Sequence, residues 1–411
     1  MATVKPFLAV RPKEGLEEKI AALPYDVYNR KEAKEYVLNN PLSFLKIDRA
    51  ESQFPDSVDT YDERVYLKAK EMYEKMKEEG KFIKEEKPSF YLYEQTMDER
   101  SQTGLVSLAS VKEYEKNIIK KHENTRAEKE LDRINHVNTM NAQSGPIFLA
   151  YRNNESLNEF FKKVKESKPY SEFMGPLNVY QRLWKIDKEE DILFIINAFK
   201  DIENLYIADG HHRCASACRV SKMRRDKENP LEEKEYDYFL SVIFSDSELL
   251  ILDYNRVVKD LNGLTREEFL KKVSLKFTVT ERESGDDKPL KKGDIFMLFK
   301  DKEYVIRLKS DFVSDDPIKS LDVSVLQDNL LDPILNIKDP KTDSRIDFVG
   351  GIRGVKELRK RLQTDAIVSF SMYPTSISEL FNVADNNLLM PPKSTWFEPK
   401  LLSGLFIHEL D

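Results

Sequence analysis

The stretch Leu205-Tyr206-Ile207-Ala208-Asp209-Gly210-His211-His212-Arg213-Cys214-Ala215-Ser216-Ala217 constrains this chain more than any other. A short apolar run reads as a buried strand, Asp-Gly as a tight turn, and the residues after it as a helix from His211 to Ser221. Glycine adopts turn conformations that other residues resist. Unbonded N–H groups at the start of the helix point at whatever sits there, and with Arg213 they suit a phosphate. Asp209, at the strand end, can hold Mg²⁺ or accept a proton. The bland alternative is an ordinary strand–turn–helix with Asp209 as its cap. Two adjacent histidines and an arginine, in a chain with only 5 His, favour a site in which Gly210, His211, His212 and Arg213 bind nucleotide or phosphate.

The pattern around this stretch mixes strands and helices. Phe7–Val10 reads as a strand, and Asn29 caps a helix over 30–38. Helical spacing runs through 58–80 and ends at Gly80. Strands at 89–94 and 104–111 flank a polar turn at 98–101. Residues 112–142 are charged and mostly helical. Further strands fall at 145–151, 179–186, 236–244 and 249–254, with helices near 155–166 and 188–201. Beyond 255 comes a smaller α+β lobe. Thr265 and Glu268 form a capping box there, strands lie near 277–280, 295–298 and 304–308, and helices at 324–331, 354–362 and 376–383. A strand at 366–370 and a last one at 405–408 complete the chain. The expected domains are 1–255 and 256–411, the second ending in a loop and strand that return to the site. At about 150 residues per domain, 411 residues allow two or three.

Three further segments carry chemistry. Leu23-Pro24-Tyr25-Asp26-Val27 holds an acid on a constrained loop, where Asp26 can act as general base or metal ligand, or merely form a turn. Lys120-Lys121-His122-Glu123-Asn124-Thr125-Arg126 joins cations to a His-Glu pair. It is either a polyphosphate clamp, with Tyr25, His122, Glu123 and Arg126 contributing, or a solvated helix face. The tail Met390 to Lys400 is stiffened by three prolines. There Lys393, Ser394 and Thr395 suit a phosphate and Trp396 a ring, so the loop is expected to close over the pocket of the 209–213 turn. The alternative is a domain-packing segment.

Composition narrows the classes. Lys+Arg total 66 against Asp+Glu 73, a net charge of −7, so no nucleic-acid partner is expected. No leader and no apolar run long enough for a membrane helix is visible. With only Cys214 and Cys218, placed on successive turns of one helix where an unstrained disulfide is doubtful, the chain reads as cytoplasmic. Neither the Walker GxxxxGK[ST] nor GxGxxG occurs.

Six stretches together resemble a widespread bacterial and archaeal family defined only as a domain of unknown function. They are LPYDV (23–27), NPLSFLKIDR (40–49), KHENTR (121–126), GPIFLAY (145–151), LYIADGHHR (205–213) and MPPKSTWFEPKLLSGLFIH (390–408). The usual aromatic after the arginine is here Cys214. The strand–DGHHR–helix element also resembles the nucleotide-binding core of the ParB/sulfiredoxin-like superfamily and its free-serine kinases. That resemblance implies such a core with large insertions and an added carboxy-terminal α+β lobe. It implies phosphorylation of L-serine with ATP or ADP and Mg²⁺, with Asp209 serving metal or catalysis and residues 210–213 the phosphates. Asp26 would be the separate acidic base, although the motif around it differs.

Two readings of different class stand side by side. One is a phosphotransferase acting on a small hydroxyl metabolite, L-serine first. The other is a nucleotide-binding switch without turnover. A sulfiredoxin-like reductase needs a reactive cysteine in the turn, where this chain has His211 and His212.

Overall fold

The computed structural model describes residues 1–125, 127–285 and 288–411, and divides into two compact units. The first comprises Met1–Leu249 and Pro399–Asp411, the second Leu250–Glu398. Among the described residues no helix is long and apolar enough to cross a membrane.

The first unit is built on a mixed α/β sheet. From one edge its strands run Ile119–Lys120, Leu205–Asp209, Ile147–Tyr151, Tyr238–Ser245, Arg100–Ser110, Phe90–Met97, Tyr180–Ile186 and Ser171–Met174, and Val4–Lys5 pairs with the long strand at Ala109 and Leu108. Two pairings are parallel, Leu205–Asp209 with Ile119–Lys120 and Tyr238–Ser245 with Ile147–Tyr151. The turn expected over 98–101 is tighter than its polar residues suggest. Met97 pairs with Arg100, leaving Asp98 and Glu99 at φ 48° and 67° as a two-residue hairpin loop. Positive φ at both positions matches the twist of the strands.

Helices Glu155–Lys165, Glu189–Lys200 and His211–Glu228 supply Leu157, Phe161, Ile195, Phe199, Cys214 and Ala217 to a core shared with Leu149, Leu205, Ile207 and Phe239 of the sheet. Cys214 and Cys218 are both free and buried, and pack in this core as small apolar side chains. The last helix runs past the expected Ser221, ending at Asn229 in the left-handed conformation.

A second core in the same unit joins helices Arg30–Asn39, Glu63–Glu78 and Ala127–Met140 through Ala33, Phe44, Tyr73, Met76, Met140 and Ile407. Asn29 and Glu32 form the capping box that starts the first of these, and Asp62 caps the second. The carboxy-terminal segment joins this core through Ile407. Ser403 exchanges backbone hydrogen bonds with Ala22 (3.1 and 2.8 Å), and Ile407 does so with Val10 (3.0 and 2.8 Å). At Gly404, φ is +75°, and a Cβ there would lie 2.3 Å from Phe44 Cγ. The expected strand at 405–408 is shorter and later, His408–Glu409, paired with Ala142–Gln143.

The second unit carries an antiparallel sheet in the order Phe277–Arg282, Glu303–Leu308, Ile295–Leu298, Val368–Ser371, Tyr254–Val258, Ile346–Gly350. Its helices include Arg266–Lys276, opened by the Thr265–Glu268 capping box, Gly354–Thr364, and Ile377–Asp385 capped by Ser376. The expected strand at 249–254 is split into Ile251–Leu252 and Tyr254–Val258. The helix expected at 324–331 begins at Asp322 and widens into π-type turns at Gln327–Leu331.

Candidate active site at the 209–213 turn

The strand Leu205–Asp209 carries Asp209 at its carboxy-terminal end, past a register shift between Ile207 and Asp209. Gly210 then takes φ +93°, and a Cβ on it would sit 3.0 Å from Arg213 Nε and Nη2. Any other residue is therefore opposed twice, by backbone conformation and by the arginine. Gly210 has no side chain with which to cap the helix it opens. The Arg213 guanidinium folds back over the turn. Its Nη1 donates to the Pro146 carbonyl at 2.6 Å, and its Nη2 lies 3.5 Å from Asp209 Oδ2.

Lys400 Nζ lies 3.4 Å from the same Asp209 oxygen. The Lys400 carbonyl accepts a bond from buried Gln95 Nε2 at 2.9 Å, and Gln102 in turn donates to Gln95 (3.1 Å), so a buried amide network fixes the backbone that carries this cation. Burial alone would push the Asp209 carboxyl up. Lys400 and Arg213 more than offset this and hold it well below the usual carboxylate range.

On the other side two histidines meet edge to face with ring centroids 4.4 Å apart, and the His122 N–H donates to His211 Nε2 at 3.5 Å. Burial holds His122 down to about 4 against the opposing pull of Asp209 and the Ile207 carbonyl. Burial and His122 together hold His211 well below its ordinary value. Both rings are neutral at neutral pH.

Two cavities that share a wall lie on this side of the unit, and the turn reaches the smaller of them through Arg213. The larger, about 490 Å³, has a polar lining that includes Arg30, Arg49, Lys129 and Asp132. The smaller, about 40 Å³, is walled by Gly145, Arg213, Ser216 and Ser403. Tyr25, Asp48, Arg133 and His136 line both. Tyr25 opens a short 3₁₀ turn, Tyr25–Val27, pinned by Arg49 Nη1, which donates to the carbonyls of Tyr25 (3.1 Å) and Tyr28 (2.9 Å). Its ring lies under the Arg133 guanidinium at 4.0 Å, and burial pushes its hydroxyl up to about 12. Arg133 is held by Asp132 at 2.9 Å, which also accepts from Tyr66 at 3.1 Å. Asp48 is buried, accepts from Ser144 Oγ at 3.1 Å and lies 3.6 Å from His136 Nε2. Burial would raise its carboxyl, but His136 and Arg133 bring it below the usual value.

The structure brings Asp209, Gly210, His211, His212 and Arg213 together on one turn, with His122 against His211 and Tyr25 on the wall of both cavities. Glu123 is half-buried, Asp26 is exposed and lines neither cavity, and Arg126 lies outside the described residues. Lys393, Ser394 and Thr395 belong to the second unit. There Lys393 Nζ stands 5.4 Å from the Tyr254 ring centroid, its carbonyl accepts from Arg256 at 3.1 Å, and buried Ser394 donates to the Pro391 carbonyl at 2.6 Å. Sequence reasoning does not single out Asp48, His136, Lys400 or Ser403, and meets Arg133 only as part of a charged run. Asp48 and Lys400 do lie inside the quoted stretches 40–49 and 390–408. Among the described residues no group of three or more His, Cys, Asp or Glu is gathered to hold a metal ion.

The chain belongs to the family described as "Protein of unknown function (DUF1015)", which matches residues 4–324. No curated protein matches it significantly. Among solved structures it is similar to a point mutant of a free serine kinase in complex with AMP, at 13% identity and a TM-score of 0.37 over 71% of this chain and 87% of that one. A second mutant in complex with ADP gives 13% and 0.36 over the same shares. Carboxy-terminally truncated SbnI from Staphylococcus aureus gives 12% and 0.37, over 72% of this chain and 85% of that one. At these scores and identities the likeness assigns neither a fold nor an activity.

Proposed function

We propose that this protein is a nucleotide-dependent phosphotransferase acting on a small hydroxyl metabolite, with free L-serine the first acceptor to test. The observation that carries this reading is Asp209, ionised between Arg213 and Lys400 at a helix start, with Arg213 reaching the small cavity, whose wall residues Tyr25, Asp48, Arg133 and His136 also line a polar cavity of metabolite size. Phosphoryl transfer demands charge neutralisation and positioning more than covalent chemistry from the protein. Arg213 and the amides of Gly210 to Arg213 would take phosphate oxygens, Lys400 supplies a second cation, and His122 and His211 form a neutral wall. Mg²⁺ commonly binds through one or two carboxylates together with substrate phosphates. Asp209 fits as that carboxylate once phosphates draw Arg213 and Lys400 toward themselves; the metal would neutralise charge on the transferring group. The resemblance points to Asp26 for the acceptor proton, but its exposed place outside both cavities gives that role no geometric support.

A nucleotide-binding switch without turnover also draws on the Asp209 triad, because two cations already satisfy that carboxylate. One experiment separates the two. The protein is incubated with ATP or ADP, Mg²⁺ and a pool of small hydroxyl metabolites, and phosphorylated product is sought by mass spectrometry. Product supports the phosphotransferase. Tight nucleotide binding with no product leaves the switch.

A further inference from the structure

The proton-accepting step has a better-placed group than Asp26. Resting on the phosphotransferase reading, we propose that His136 takes the proton of the acceptor hydroxyl and that Asp48 is the positioning residue for its ring.

His136 stands in the right place. It lines the 490 Å³ cavity, which has room for a small metabolite, and also the 40 Å³ cavity in which Arg213 stands. At about 10–15 Å³ of such volume per water, the smaller space holds roughly three waters, so a phosphoryl group held by Arg213 and a hydroxyl beside His136 are near neighbours. Gly145 keeps this passage open. A Cβ there would lie 3.3 Å from Ser403 Oγ and 3.5 Å from Arg213 Nη1.

His136 also has the chemistry. It is only 5% exposed, and its Nε2 has no hydrogen-bond partner of normal length, with Asp48 Oδ1 3.6 Å away. A buried polar nitrogen left in this state calls for a reason. The nitrogen facing Asp48 is Nε2, so a proton on Nε2 turns toward the carboxylate, Nδ1 carries the lone pair that takes the acceptor's proton, and Asp48 stabilises the imidazolium that forms. Asp48 is fixed from its far side by Ser144, and the neighbouring cation Arg133 is already matched by Asp132.

In the step itself, the acceptor oxygen forms a bond to the terminal phosphorus as the bridging P–O bond breaks. The electron pair of that bond leaves with the shortened nucleotide. The hydroxyl proton passes to His136 and then to solvent through the larger cavity.

The test uses the full chain with ATP or ADP, Mg²⁺ and a defined pool of L-serine, L-threonine, glycerate and glycerol. Wild-type turnover is the readout of the phosphotransferase reading; the ratio of variant to wild type is the readout of this inference. His136→Ala is expected to lose about 10²–10⁴-fold in kcat with nucleotide KM unchanged. Free imidazole, admitted through the larger cavity, is expected to restore several-fold. Asp48→Asn should lower kcat in the same direction, and the double variant should be no worse than His136→Ala, because the two act as a unit. His136→Gln, close in shape, repeats the measurement if the alanine variant folds poorly. Wild-type kcat in either His136 variant overturns the inference. So does a loss that imidazole leaves unrescued and that tracks a lowered melting temperature, or a comparable loss in Asp26→Asn while His136→Ala stays active.

Discussion

Glu303 and Asp209 are two of the carboxylates that sit between two cations, and of this pair only Asp209 has the makings of a site. Glu303 lies in the second unit directly across the strand pair from Arg282, accepts from Arg359 Nε at 2.8 Å and Ser284 Oγ at 3.0 Å, and its side chain is 6% exposed. Asp209 faces Arg213 and Lys400 at 3.5 and 3.4 Å, and its side chain is 34% exposed. One Glu303 oxygen takes the short bonds from Arg359 and Ser284 while the other lies 3.4 Å from Arg282, and the carboxylate is closed off from solvent, so the cluster fastens a sheet to a helix. The contacts around Asp209 are long and half-open, at the start of a helix whose N-cap residue, Gly210, brings no capping side chain. Cations that do not fully close on their carboxylate can still be drawn to an incoming anion.

The largest effect expected from that contrast is on stability. Glu303→Gln leaves two largely buried guanidinium groups without their counter-charge and should cost about 3–5 kcal/mol in urea unfolding, with nucleotide affinity untouched. Asp209→Asn should do the reverse, lowering phosphotransfer about 10²-fold or more with little change in the unfolding midpoint. If Asp209→Asn unfolds the protein and Glu303→Gln slows turnover, the two clusters have been assigned the wrong way round. Next in size is Arg213→Ala, which removes one charge-assisted contact. Nucleotide binding by calorimetry should weaken by roughly 1.5–3 kcal/mol, while unaltered affinity would move the nucleotide away from this turn.

The difference between the clusters also marks what a sequence can show. Gly210, Arg213 and the helix behind them are local: the turn, the glycine and the arginine lie within five residues, and their roles come from backbone geometry. The capping boxes at Asn29 and Thr265 are legible for the same reason. Asp48, Arg133, His136 and Lys400 come from distant segments, and only packing brings them to the turn and its cavities. Arg133 follows a run of charges that reads equally as a phosphate clamp or a solvated face, and it is buried over Tyr25. Lys393 and Lys400 share one stiff proline-rich stretch, but the boundary between the units falls after Glu398 and separates them. No composition signal marks that point. The short strands Ser171–Met174 and Ile346–Gly350 escape a sequence reading because four or five residues carry too little alternation to stand out.

The smallest effect sharpens the comparison by giving the two units opposite responses to acid. All 5 histidines, at 122, 136, 211, 212 and 408, lie in the first unit. Burial holds His122 and His408 at about 4, below the ordinary 6.5. Between those values the unfolded chain binds more protons than the folded one, so stability is lost as pH falls from about 6.5 toward 4. For His122 alone this amounts to about 2 kcal/mol at pH 5. In the second unit, burial raises Asp322 to about 6, and the Gly293 N–H, donating at 2.9 Å, offsets only part of that. There the folded state holds the extra proton between about 4 and 6, so stability is gained as pH falls through the folded value and lost as it rises. Trp184 belongs to the first unit and Trp396 to the second, so Trp184→Phe and Trp396→Phe give one fluorescence reporter each. Urea midpoints taken from pH 7 to pH 5 should fall for the Trp184 signal and hold or rise for the Trp396 signal. His122→Gln should flatten the first slope by close to one proton, and Asp322→Asn should remove the second. Two signals that track a single curve at every pH would show the units unfolding as one, and the separate signs would then have no meaning.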